Sequence, residues 1–164
     1  MGNWPIQILP KSNQIMQIIQ TLHPVSQISL YVLLTLMGLF SLLVFGWQIM
    51  ILKGKAMQNP DGTTDSFHEQ KTHYGSAFAD VFLACPVCFA AIALVFISPR
   101  WGFYLLGMVA FWFVWTNIMT TTTSLKFENP KLTLNWIIVF PTGIFVGLAT
   151  ILWAMIHFNT IYFL

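Results

Sequence analysis

The sequence predicts an all-α membrane protein: a four-helix transmembrane bundle with a short amphipathic helix at its N-terminal interface. Three observations carry this expectation. Four apolar runs, Ile28–Leu52, Ala77–Ile97, Trp101–Met119 and Leu132–Ile156, each approach or exceed the ~20 residues a helix needs to cross ~30 Å of hydrocarbon. Asp80 is the single formally charged residue inside them. The chain of 164 residues is 57% hydrophobic and 7% charged, where a soluble domain carries roughly 25% charged residues. Most of its surface is therefore expected to face lipid, and residues 1–164 are expected to form one transmembrane domain.

The elements follow in order. Ile15, Met16, Ile18, Ile19 and Leu22 fall at helical spacing, with Gln14, Gln17 and Gln20 on the other side. Pro10 and Pro24 punctuate this segment. It is expected either to lie among lipid headgroups or to pack across one end of the bundle. The first 27 residues hold one Lys and no long apolar core, so no secretory leader is expected there. The first span stops at Lys53 and Lys55, and a polar loop over 53–75 follows. Asn59-Pro60-Asp61-Gly62 signals a turn within it. Ser66 with Glu69 three residues later reads as a capping box for a helix over Ser66–Tyr74. Pro99-Arg100 makes a tight turn between spans two and three, and Glu128-Asn129-Pro130 separates spans three and four. In span four, Gly143 and Gly147 form a GxxxG that admits a close helix neighbour, inside the bundle or in a dimer. Gly38, Gly46 and Gly107 offer similar contacts.

Charge sets the expected orientation. Of the seven Lys and Arg residues, Lys53, Lys55, Lys71, Lys126 and Lys131 lie in the first and third loops. Lys11 and Arg100 lie on the other side. The positive-inside rule then makes loops 53–75 and 120–131 cytoplasmic. A formal charge of +2, scattered along the chain, excludes nucleic acid as a partner class.

The polar residues gather at one rim. A charged carboxylate in a span is usually turned inward and partnered, which makes Asp80 the first candidate. Ser76 and His73 precede it by four and seven residues, on one helical stripe. An antiparallel bundle brings Gln48 from span one, Asn117 and Thr120–Thr123 from span three, and Asn135 from span four to the same end. Asp80, His73, Gln48, Asn117 and Asn135 are therefore the expected ligand-binding set, for a small polar solute, an ion or a lipid headgroup. The plain alternative is a hydrogen-bonded layer that fixes helix register. His68, His73 and Asp80 are the candidates for holding a divalent cation. His68 and His73 are five residues apart, about 140° around a helix, which excludes the HExxH arrangement of two histidines on one face.

Cys85-Pro86-Val87-Cys88 is a CxxC inside span two. Thiol–disulfide exchange or passage of a soft metal are its functional readings; two small buried hydrophobes beside a proline kink are the plain one. The pair resembles that of the disulfide-generating four-helix membrane oxidoreductases, which implies a quinone-coupled reaction. Those proteins use a second cysteine pair, and this chain has no other cysteine. Cys85 also lies ~13 Å into its span, where the reactive thiolate is disfavoured. Pro86 and Pro141 are expected to kink spans two and four and to free the carbonyls of Phe82 and Ile137. The expected partners are membrane lipid and a small polar solute or cation, with a homo-oligomer or a larger membrane complex as the setting. No cofactor is named by any motif. Solute binding or transport leads; an accessory subunit of a membrane complex and a thiol oxidoreductase or soft-metal carrier are the alternatives.

Overall fold

The computed structural model describes residues 19–55, 63–64, 66–128 and 130–163. Among them every extended element is helical and no strand occurs. In chain order these are α1 (Pro24–Leu52), α2 (Phe67–Ala79), α3 (Cys85–Ile97), α4 (Pro99–Thr123), α5 (Leu134–Val139), α6 (Thr142–Ile156) and α7 (Phe158–Tyr162). Four stretches are long and apolar enough to cross a membrane: Pro24–Leu52, His73–Ile97, Pro99–Phe127 and Leu134–Ile156. They are called spans one to four below.

Local chemistry sets the boundaries. Pro24 stands in the first turn of α1, where its missing N–H costs nothing. His23 Nδ1 accepts from the Val25 amide at 3.4 Å. At the other end Gly54 adopts φ +78, Gly54 N–H donates to Ile51 and Lys55 N–H to Met50. This double closure in a left-handed residue ends the helix and uses carbonyls that would otherwise be orphaned. α2 begins at Phe67, with the Gln70 amide on the Ser66 carbonyl at 3.0 Å. Thr133 caps α5 by accepting from the Trp136 amide at 3.2 Å.

The two intramembrane prolines are absorbed differently. Before Pro86 the helix widens into a π turn, Asp80–Ala84, and the Cys85 N–H reaches back five residues to the Asp80 carbonyl. Pro86 then falls in the first turn of α3, where no donor is needed. At Pro141 the helix breaks between α5 and α6. The carbonyl of Ile137, deprived of an amide donor, accepts from the Thr142 hydroxyl at 2.8 Å. Span three runs beyond Met119 through the threonines and a second π turn, Ser124–Glu128.

The spans pack as a ring: one against two and four, three against two and four. The core is apolar, with Leu30, Met37, Val95, Leu106 and Phe113 nearly or fully buried. Gly147 allows span four to approach the backbone of span three closely. A Cβ there would lie 2.6 Å from the Ala110 carbonyl oxygen. Gly143 packs under Asn117 in the same seam. The GxxxG pair therefore faces inward. Gly46 and Gly107 have no such neighbour within 4 Å and Gly38 only an ordinary contact, so the expected close contacts there are absent; Gly102 makes one instead, against the Val95 backbone. Of the helix expected over Ser12–Leu22, residues 12–18 lie outside the described residues. Ile19 and Leu22 are buried and belong to the bundle core, so this end of the segment packs on protein.

Candidate functional site

The site begins with the π turn. Asp80 is its first residue, half-buried, and faces span one. Gln48 Nε2 donates to Asp80 Oδ2 at 2.7 Å. The Trp112 side chain, from span three, lies beside the carboxylate. Three spans thus converge on the one carboxylate within them. Gln48 is four residues from the end of α1, about 6 Å along the axis, so the pair sits inside the bundle close to one rim. Its geometry is lopsided. The amide donor of Gln48 is engaged, while its carbonyl Oε1 is buried with no hydrogen-bond partner among the described residues. Carboxylate and amide carbonyl together form an acceptor-rich locus.

The other expected members are placed elsewhere. Asn117 donates to the Phe113 carbonyl of its own helix at 2.8 Å and covers Gly143, so it belongs to the seam between spans three and four. Asn135 is exposed on α5. His73 and His68 are exposed on α2, seven and twelve residues before Asp80. Among the described residues no three of His, Cys, Asp and Glu gather into a metal-holding group. The set His68, His73 and Asp80 is thus not brought together. The side chains lie along one continuous helix, with the two histidines about 140° apart around it.

The threonines at this rim bond inward to their own backbone. Thr116, Thr120 and Thr122 donate to the carbonyls of Trp112, Thr116 and Ile118 at 2.8, 3.0 and 2.8 Å. Such back-bonding satisfies a hydroxyl within apolar surroundings and leaves it little for a ligand. Ser124 accepts from the Trp136 indole at 3.0 Å, a buried tie between spans three and four. The Thr121 hydroxyl is buried without a partner among the described residues.

One to two turns deeper, Cys85 and Cys88 are reduced and fully buried. The Cys88 sulfur lies 4.0 Å from the Met37 carbonyl on span one and beside Ser41. The Ser41 hydroxyl is fully buried without a hydrogen-bond partner among the described residues. Met37 Sδ accepts from the Thr150 hydroxyl of span four at 3.4 Å. Trp112, Ser41 and Met37 escape a reading of the sequence. An indole in a span reads equally as a lipid anchor or filler, and Met37 and Ser41 show themselves only as one helical turn of a stripe that continues to Gln48.

Comparison with known proteins gives no assignment: no family model matches the chain, and no curated protein or solved structure is significantly similar to it.

Proposed function

We propose that this chain is a multi-pass membrane protein that binds, and carries across the bilayer, a small cation or a polar solute that presents a cationic or strongly donating group to Asp80 and Gln48. One observation carries the reading: the bond between Gln48 of span one and Asp80 of span two, beside a buried amide carbonyl with no donor among the described residues. Two acceptors, one of them charged, are costly to hold in a low-dielectric interior. A charge at the centre of a span costs ~2.5–3.5 kcal/mol on insertion scales, and such residues mark ion and solute paths. A cation entering the locus would neutralise the carboxylate and give the Gln48 carbonyl its missing partner. The four long helices would cross the membrane with the connections 53–72 and 128–133 on the cytoplasmic side.

The test is flux in proteoliposomes under an imposed inside-negative potential, with proton, Na+ and K+ followed in parallel by indicator dyes. Asp80→Asn preserves shape and a hydrogen bond to Gln48 but removes the charge. The unsubstituted chain is expected to carry at least one of these ions. The Asn variant is expected to lose that flux while its helical circular dichroism stays unchanged. Equal flux in the two proteins would reject the proposal.

A further inference from the structure

We propose that Cys85, Cys88 and Met37 form a binding site for a soft monovalent cation of the Cu(I) type, distinct from the acceptor locus at Asp80. The two thiols stand three residues apart on α3, and both are 0% exposed, so both turn into the bundle instead of toward lipid. The π turn and Pro86 set this rotation: the extra residue in the wide turn re-aims everything that follows. Facing Cys88, span one presents Met37 and Ser41, also 0% exposed, and Cys85 stands one helical turn before it on the same helix. The Cys88 sulfur touches span one at the Met37 carbonyl, 4.0 Å away.

The donor set selects the ion. Two thiols and a thioether, with no carboxylate or imidazole among them, suit a soft d10 ion and discourage Mg2+ or Ca2+. Charge matters as much at this depth, because an uncompensated ion in an apolar core is expensive. One thiol exchanging its proton for a monovalent cation leaves the net charge of the core unchanged: Cys–SH plus M+ gives Cys–S–M plus H+. The second thiol and the thioether complete the shell as neutral donors. Met37 has the freedom to do so. Its sulfur is held by the Thr150 hydroxyl at 3.4 Å, yet that same hydroxyl has a shorter acceptor in the Val146 carbonyl at 2.8 Å. One proton cannot serve both fully, and an unbranched thioether with three rotatable bonds readily re-aims. The Ser41 hydroxyl, beside Cys88 and without a hydrogen-bond partner among the described residues, is placed to donate to the thiolate once its proton has left.

The experiment loads the detergent-purified full chain with Cu(I) under anaerobic, reducing conditions and challenges it with bathocuproine disulfonate. One Cu(I) per chain is expected to resist the chelator, with a first shell of sulfur alone in X-ray absorption. Cys85→Ser with Cys88→Ser is expected to abolish retention. Because that double change risks the fold, Met37→Leu provides a second arm: near-equal volume and no sulfur, with retention weakened by at least about 10-fold, since even the loss of an outer-shell partner costs that much. Asp80→Asn is expected to retain Cu(I) fully, which separates this site from the solute site proposed above. Stripping of Cu(I) from the unsubstituted chain as readily as from the double-serine variant, or a first shell of oxygen and nitrogen, would overturn the proposal.

Discussion

The two ends of the Gln48 amide are treated unequally, and that inequality is testable one residue at a time. Its N–H bonds Asp80 and its carbonyl bonds nothing described. Gln48→Leu therefore removes a useful donor and a costly orphan together, and the net loss of stability is expected to stay below about 2 kcal/mol. A double-mutant cycle with Asp80→Leu isolates the pair; interhelical hydrogen bonds in membranes couple by about 0.6 kcal/mol on average and up to about 1.7. Zero coupling in a detergent-unfolding titration would show that the bond contributes nothing. Glycines give a second residue-scale contrast. Gly147→Ala drives a Cβ to 2.6 Å from the Ala110 carbonyl and 2.8 Å from Val114 Cγ2, an overpacking expected to cost about 1–3 kcal/mol. Gly46→Ala meets nothing within 4 Å and is expected to be neutral or to stabilise by up to about 1 kcal/mol through helix propensity. The same titration ranks the two; a reversed order would contradict the packing of span four on span three. Asp80 was legible in the sequence because a lone charge in a span must be explained. Asn117 was not, because hydropathy cannot tell that a carbonyl four residues back and a facing glycine already occupy it.

Elements show a similar division. Spans one and two each begin four residues earlier than the hydropathy runs suggest, at Pro24 and His73, and both end where expected, at Leu52 and Ile97. The third differs at its far end: the apolar run stops at Met119, but the helix continues to Phe127. Hydroxyls that bond their own backbone make Thr120 and Thr122 acceptable in a helix wall, and composition alone does not register this. The prolines were legible as interruptions but not in form. A single sequence does not reveal whether a freed carbonyl will be met by a widened turn, as before Pro86, or by a neighbouring hydroxyl, as at Pro141. The second case yields a prediction. Thr142→Val keeps the shape of the side chain but removes the donor to Ile137, leaving an unpaired carbonyl in span four. About 1–3 kcal/mol of destabilisation is expected, read by the same unfolding titration. Thr142→Ser retains the hydroxyl and is expected to recover most of it. A Val variant as stable as the Ser variant would mean that the carbonyl does not need Thr142.

At the scale of the whole molecule, the ring of four spans gives each end a different charge. Lys53 and Lys55 follow α1, Lys71 lies in α2 ahead of span two, Lys126 sits in the π turn beyond α4 and Lys131 precedes α5. All five belong to the end that also holds Asp80 and Gln48. Among the described residues, the opposite end has Arg100 in the first turn of α4. Short basic loops resist translocation, so this imbalance should hold the lysine-rich end in the cytoplasm, and a solute reaching Asp80 from the nearer rim would then enter from inside. Thr63 and Arg100, both exposed, report the two ends. With Cys85 and Cys88 replaced by alanine, Arg100→Cys is expected to react with a membrane-impermeant maleimide in intact bacterial cells. Thr63→Cys is expected to react only after the cells are opened. The Arg100 substitution removes a basic residue from the sparse side, so it strengthens the bias it reports. If orientation follows from charge, exchanging Lys126 and Lys131 for Gln while placing two Lys beside Arg100 should give a mixed population in which both positions label in part. Labelling of Thr63→Cys in intact cells, with Arg100→Cys silent, would invert the molecule and place the acceptor locus nearer the outer face.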